Sequence, residues 1–149
     1  AAGSLDKTVA AVPGGMPEAD RGKTVAIIQK KIGIDPAVGF LVCVSGPHRG
    51  ADFKLTAGRN FIGRAAAMDV SLADDDTVSR EGHALVSYDT KHMLFRISGQ
   101  GRGITYCNDE LVEGARSLCA YDVIEVGKSK LVFLPLCGDK FQWTDKAEE

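Results

Sequence analysis

The sequence of 149 residues predicts one all-β domain, built as an antiparallel sandwich or barrel. Short runs rich in β-branched and aromatic residues recur from residue 38 onward, at a spacing of roughly ten residues. Clusters of Gly, Asn, Asp and Ser separate these runs, as turns between strands require. No helical period of useful length occurs in this region, so the pattern favours an all-β fold.

Nine segments are expected to form strands, and turn residues separate them. The first is an apolar, β-branched run that ends at Ser45-Gly46-Pro47, and several later segments alternate between apolar and polar residues. Asn108-Asp109 predicts a tight turn between the sixth and seventh strands. In chain order the nine segments are 40–44, 52–55, 60–63, 84–88, 93–97, 104–107, 110–112, 122–127 and 130–134.

The first 36 residues differ from the rest, because they are rich in Pro and Gly and contain no aromatic residue. We expect a flexible tail over 1–36, the β domain over 37–144 and a short C-terminal tail over 145–149. Within the first tail, residues 24–34 alternate basic and aliphatic side chains and fit either a short helix or a short strand. The tetrapeptide Lys-Thr-Val-Ala occurs twice, around Thr8 and Thr24, either by chance or as two sites for a kinase.

Composition and charge exclude several classes of function. A formal net charge of −2 gives no general attraction to nucleic acid or to anionic membranes, so any anion must bind at a local site. No apolar run approaches the length of a transmembrane helix. Four widely spaced cysteines without a Cys-x-x-Cys pair favour buried free thiols in the cytoplasm over the alternatives, a disulfide or a zinc site, and no metal or cofactor is expected.

Two sequence motifs carry the functional prediction. The first is the apolar pair before Gly63-Arg64, and the second, after an acidic segment, runs from Val78 through Ser79-Arg80 to His83. A guanidinium and a hydroxyl on two such loops can converge on one phosphate, with charge-assisted bonds worth on the order of 1.5–3 kcal/mol each. The acidic run 74–76 would repel a phosphate, so we expect it to point away from the site.

With these motifs, residues 38–141 resemble the forkhead-associated (FHA) domain, here of bacterial type and with a short threonine-containing tail. The resemblance implies an FHA/SMAD-like β-sandwich that binds phosphothreonine through loops at one end. It implies that Arg64 holds the peptide backbone and that Ser79 binds the phosphate, while Arg80, Arg102 and Gly103 lie on the same loops. It assigns structural support to Gly63, His83, Thr105 and Asn108.

The chain departs from the FHA pattern at three places. One extra residue, most simply Gly82, separates Ser79 from His83 and implies a bulge. The turn that is usually Asn-Gly is Asn108-Asp109, and the loop before Thr105 carries Arg102-Gly103 where the family often has a peptide-gripping Asn. Structural roles that involve no ligand therefore stay open: Arg64 could form an ion pair with Asp69, and Arg80 could form one with the acidic run.

The sequence leaves three functions to weigh. The first is a phosphothreonine-binding module in Ser/Thr-kinase signalling, whose partner is a phosphorylated protein, a kinase, or the chain's own tail bound in cis or in trans at Thr8 or Thr24. The alternative is an FHA-like scaffold or assembly component that binds an unmodified protein. A hydrolase built on Ser79 and His83 is disfavoured, because no Gly-x-Ser-x-Gly elbow and no metal-ligand spacing occur.

Overall fold

The structure, a computed structural model, describes residues 18–143. One helix, α1, spans Glu18–Ile32 and precedes eleven strands. The strands are β1 (Gly39–Ser45), β2 (Asp52–Leu55), β3 (Gly58–Gly63), β4 (Val70–Ser71), β5 (Ala84–Asp89), β6 (Leu94–Gly99), β7 (Thr105–Cys107), β8 (Glu110–Leu111), β9 (Ala115–Ser117), β10 (Val123–Val126) and β11 (Ser129–Pro135).

The strands form two sheets. One has five strands in the order β9-β6-β5-β3-β4, and the other has six in the order β2-β1-β11-β10-β7-β8. Every pair is antiparallel except β3 with β4, which is parallel. The predicted all-β sandwich is therefore confirmed.

The core lies between the two sheets and follows directly from alternation along the strands. In β1 and β5 every second residue is buried, and Leu41, Ile62 and Phe133 have no solvent exposure. Phe95 joins the two sheets, with its ring centroid 4.4 Å from that of Tyr88 and 4.7 Å from that of Phe133. Burial of this apolar surface is the main force that holds the layers together.

Two short edge strands were not expected from the sequence. Residues 70–71 pair with the end of β3, and residues 115–117 pair with β6. Neither has an apolar alternation long enough to be recognised, because each is held by its neighbour rather than by its own pattern. The strand expected to start at Met93 starts at Leu94, since Met93 occupies a left-handed turn with φ 57°.

The N-terminal segment also differs from expectation. Residues 18–32, part of the expected flexible tail, form α1, so helix rather than strand is the correct choice for 24–34. Thr24 has no exposed surface and Ile28 is buried. The expectation that a kinase can reach Thr24 is therefore wrong while α1 is in place, and Thr8 lies outside the described residues. No helix in the described range has the length and apolar character to cross a membrane.

All four cysteines are free thiols. Cys43, Cys107 and Cys137 are buried as expected, and burial raises the pKa of the Cys137 thiol to about 12. Cys119 is exposed, contrary to expectation, because it lies in the connection between β9 and β10 rather than in a strand.

Candidate functional site

The connections that carry the predicted phosphopeptide-binding residues meet at one end of the sandwich, which we call the apical end. Three of them, 64–69, 72–83 and 100–104, hold those residues, and the turns 46–51 and 127–128 complete the apical end. The backbone N–H of Arg64 donates to the carbonyl oxygen of Ser79 at 3.0 Å. The hydroxyl of Ser79 in turn donates to the carbonyl oxygen of Arg102 at 2.8 Å. Arg64, Ser79 and Arg102, predicted from separate motifs, are therefore neighbours.

Gly63 allows the first two of these connections to approach each other. A Cβ atom at this position would lie 2.9 Å from the carbonyl oxygen of Arg80, a distance that real Cβ atoms do not tolerate. The side chain of Arg64 is fixed where it leaves the strand, because its Nε donates to the carbonyl oxygen of Val78 at 3.1 Å. Its terminal guanidinium nitrogens make no hydrogen bond within residues 18–143 and can serve a ligand.

His83 ties the second connection to the third. Its Nδ1 accepts the backbone N–H of Ser79 at 2.9 Å, and its Nε2 lies 2.9 Å from the carbonyl oxygen of Ile104. An acceptor at Nδ1 and a donor at Nε2 define a neutral ring protonated on Nε2. The ring is buried, with 2% of the residue exposed, so it acts as a strut rather than as a ligand group.

Gly103 provides the space for this strut. A Cβ atom on Gly103 would lie 2.4 Å from Cε1 of His83, so any side chain would displace the imidazole. The role expected for Gly103 in contacting a peptide is therefore accompanied by a packing role that the sequence did not reveal. Arg102, one residue earlier, is exposed.

Thr105 and Asn108 lie at opposite ends of β7. Thr105 is buried, and its hydroxyl has no hydrogen-bond partner within the described part of the chain. Asn108 and Asp109 both have positive φ angles, 53° and 67°, as a type I′ hairpin turn requires. The Asn108 side chain donates to Asp122 and accepts the N–H of Val123, both at 3.0 Å, so it braces the turn far from Ser79.

The acidic run 74–76 does not behave as one unit. Asp74 and Asp76 are exposed, whereas Asp75 has no exposed surface. One oxygen of Asp75 accepts the backbone N–H and the hydroxyl of Thr77. The other accepts the hydroxyl of Ser129 at 2.7 Å and the N–H of Lys128 at 3.0 Å, which pins the Ser79 connection to the turn between β10 and β11.

These bonds control the ionisation of Asp75. Burial acts to raise the pKa of its carboxyl, but the hydrogen bonds from Thr77, Ser129 and Lys128 outweigh burial and hold the pKa below its usual value. Asp75 is therefore a carboxylate at neutral pH. Nothing in three consecutive aspartates marks the middle one for this role, so sequence reasoning missed it.

The electrostatic character of the apical end comes from unpaired arginines. No carboxylate in residues 18–143 lies within 4.0 Å of the guanidinium of Arg64, Arg80 or Arg102. The pairs that the sequence left open are therefore absent there: Asp69 instead accepts the backbone N–H of Phe61 at 2.9 Å. Arg64, Arg80 and Arg102 thus add positive charge to the connections around Ser79 that no carboxylate of residues 18–143 pairs with, in a chain with net charge −2.

Ser79 and His83 are not arranged for hydrolysis. The hydroxyl of Ser79 donates to a carbonyl oxygen, and Nδ1 of His83 is occupied by a backbone amide. A nucleophile needs its base within hydrogen-bond reach of the hydroxyl itself. Within the described residues no group of three or more His, Cys, Asp or Glu side chains could hold a metal ion.

Replacing Gly103 tests whether the buried His83 ring supports the two connections. Gly103→Ala is expected to lower the free energy of unfolding by about 1–3 kcal/mol, because the added methyl overpacks the site against His83. Urea denaturation would measure the loss, and the His83 ring signals in NMR would report its displacement. Gly99→Ala is the matched control, since nothing lies within 4 Å of its Cβ and its backbone is not left-handed. Equal stabilities of the two variants would contradict the structural role of the Gly103–His83 contact.

Replacing Asp75 tests the pinned connection through pH. A folded-state pKa below the unfolded value of about 3.9 stabilises the fold above that pH, and the contribution is lost as pH falls through the folded value. Asp75→Asn is expected to cost about 1–3 kcal/mol at pH 7, because the amide keeps only one of the two acceptor oxygens and turns an NH2 group towards the donors of the other. The difference from wild type should shrink in urea denaturation at about pH 3. Asp76→Asn, at an exposed position, is the control, and a pH-independent difference would refute the assignment.

One family of known sequences matches most of the sandwich. A family model described as "Inner membrane component of T3SS, cytoplasmic domain" matches residues 43–136. No curated protein matches the chain.

Solved structures of FHA domains also match. One, studied for phosphothreonine-dependent interactions, is 26% identical with a TM-score of 0.55, over 64% of this chain and 94% of that one. Mycobacterium tuberculosis EmbR, in complex with a low-affinity phosphopeptide, is 25% identical with a TM-score of 0.56, over 78% and 30% of the two chains. An FHA domain of Chlamydia trachomatis, 21% identical with a TM-score of 0.58 over 66% and 99%, shares the fold.

The matched residues include most of both sheets and the three connections that carry the predicted site. FHA domains are interaction modules rather than enzymes. The chain is an FHA-domain protein and belongs to the family of the cytoplasmic domain of the T3SS inner membrane component.

Proposed function

We propose that the apical end binds phosphothreonine in a partner protein, and that the chain is an interaction module of Ser/Thr-kinase signalling. The observation that carries this proposal is that hydrogen bonds hold Arg64, Ser79 and Arg102 together, with Arg80 next to Ser79. No carboxylate of the described residues lies within 4.0 Å of the three guanidiniums. Free thiols and a family model of a cytoplasmic domain support a cytoplasmic setting. Similarity to FHA structures studied with phosphothreonine or a phosphopeptide also supports phosphothreonine binding.

Each group has a distinct task in this proposal. Arg64, anchored through Nε, presents its terminal nitrogens to the peptide backbone and the phosphate. Ser79 exchanges the carbonyl oxygen of Arg102 for a phosphate oxygen as the acceptor of its hydroxyl proton. Arg80 and Arg102 add charge from two sides, and a charge-assisted bond is worth about 1.5–3 kcal/mol.

Two substitutions test the proposal against a degenerate phosphothreonine peptide library. Arg64→Ala and Ser79→Ala are each expected to weaken binding at least tenfold, about 1.4 kcal/mol, because each removes a phosphate or backbone contact. Fluorescence anisotropy with phosphorylated and dephosphorylated libraries would measure this. Arg59→Ala is the control, because Arg59 is exposed on the same strand as Gly63 but away from the apical end. Equal affinity for both libraries would reject the proposal.

The chain's own tail is a second proposed ligand, through Thr8. Gly22 of α1 lies beside Thr90 in the turn after β5, which places the start of the described chain at the end opposite to the apical one. Ten extended residues span up to about 33–36 Å, more than the roughly 23 Å of a seven-residue strand such as β1. Tethering would raise the local concentration towards the millimolar range.

Phosphothreonine incorporated at position 8 by ligation would test the tail. The modified chain is expected to bind the external phosphopeptide library at least tenfold more weakly than the unmodified chain, since its own residue occupies the site. Analytical ultracentrifugation separates the two geometries: a monomer indicates binding in cis, and a dimer indicates binding in trans. Arg64→Ala in the modified chain is the control for site occupancy. Unchanged affinity for the library would remove the tail from the proposal.

A second candidate function is an assembly component that binds an unmodified protein. Two observations favour it: the family model describes a component of T3SS, and Gly103 carries no side-chain amide where the loop would grip a peptide. Binding of a natural partner that is indifferent to phosphatase treatment and to Arg64→Ala would support this function over the first.

A further inference from the structure

The outer face of the six-stranded sheet is unusually apolar. Alternation sends Leu41, Cys43 and Ile124 into the core and leaves their neighbours on the outside. Six outward residues form this surface, which we call the apolar face: Val42, Val44, Tyr106, Leu111, Val123 and Val132. Val44 is 44% exposed and Leu111 51% exposed. An extended apolar surface of this kind marks an interaction site.

The other sheet provides a direct comparison. Across its outer face, Arg59, Ser87, Arg96 and Ser117 stand opposite one another in neighbouring strands. These side chains are polar, as expected for a sheet that only faces water. The next row on that face contains Phe61, Leu85, Ser98 and Ala115, so this face mixes polar and apolar residues. The outer face of the six-stranded sheet differs in that valines of three neighbouring strands, Val42, Val132 and Val123, form one row.

Glu125 of β10 lies at the centre of the apolar face, opposite Lys130 of β11. It lines two depressions of about 400 Å³ each, one shared with Gly103, Ile104 and Tyr106 and the other with Val44 and Lys130. Both depressions contain Glu125, so they adjoin at this side chain: the first begins at Gly103, near the apical end, and the second lies further along the sheet. We call the two together the groove.

The carboxylate of Glu125 has no cationic partner. Lys130 stands directly opposite it in the register of β10 and β11, but no basic group of the described residues lies within 4.0 Å. Glu125 is partly buried, with Tyr106 and Lys130 beside it in the neighbouring strands. An incoming ammonium or guanidinium would find there a carboxylate that has no ion-pair partner among the described residues. Asp109, in the second depression, adds a further negative charge.

We infer that the groove binds the segment flanking the phosphothreonine in the same partner, with aliphatic side chains on Tyr106 and Val44 and a Lys or Arg at Glu125. This inference rests on the proposed function, because the phosphate delivers the segment to the groove. Gly103 and Ile104 are at once the edge of the groove and the neighbours of Arg102. The four residues of β10 span roughly 13 Å, so about four extended residues of the partner fill the groove.

Two sets of peptide libraries test the inference on the whole chain. The short library has phosphothreonine flanked by four degenerate positions on each side. The extended libraries add five positions at one end or the other, with aliphatic residues and either Lys or Glu. One Lys-bearing extension is expected to tighten binding about tenfold in fluorescence anisotropy, and the Glu-bearing one is not. In Glu125→Lys the preference should reverse, while affinity for the short library stays unchanged.

Arg96→Ala, on the polar outer face of the other sheet, is the control and should retain the wild-type preference. Equal binding of short and extended libraries, or a Lys preference that survives Glu125→Lys, would overturn the groove and leave the phosphate site intact. No binding of the short library would instead reject the proposed function, and this inference with it. A concentration-dependent dimer lost in Glu125→Lys would overturn the inference by assigning the face to a second copy of the chain.

Discussion

The apical end depends on one neutral imidazole. His83 accepts an N–H from one connection at Nδ1 and donates to a carbonyl oxygen of another at Nε2, so its tautomer is fixed. Those connections carry Ser79 and Arg102, two of the groups proposed to meet a phosphate. Because the ring lies inside the protein, its bonds are not in competition with water, and the loops hold their places before any ligand arrives. Preorganisation of this kind lowers the entropic cost of binding.

A buried carboxylate, that of Asp75, organises the same region. Asp75 is held by two backbone amides and two hydroxyls, the kinds of donor that also bind phosphates. Its bonds join the connection before Ser79 to the turn after β10. The apical end thus neutralises one negative charge inside the fold by hydrogen bonds, while Arg64, Arg80 and Arg102 have no carboxylate partner among the described residues. This division supports the proposed anion site in a chain of slightly negative net charge.

Much of the sandwich could be predicted, because strands with one buried face repeat apolar residues at a period of two. The short strands β4 and β9 could not, since neighbouring strands rather than their own sequences define them. The closeness of Arg64 and Ser79 followed from motif order. The contact of Gly103 with His83 joins residues twenty positions apart and has no local signal. The burial of Thr24 depends on how α1 packs, which its alternating pattern does not specify.

The four thiols offer a practical route to studying the domain. Three are enclosed by the sandwich, and the fourth, Cys119, is exposed beside Asp122, whose carboxylate accepts its backbone N–H at 2.8 Å. Cys119 precedes β10 at the end of the strand far from Gly127, so it lies away from the arginines. A maleimide dye or a biosensor surface attached through this one sulfur would leave the opposite pole of the molecule facing solution, with every copy oriented alike and no engineered handle required.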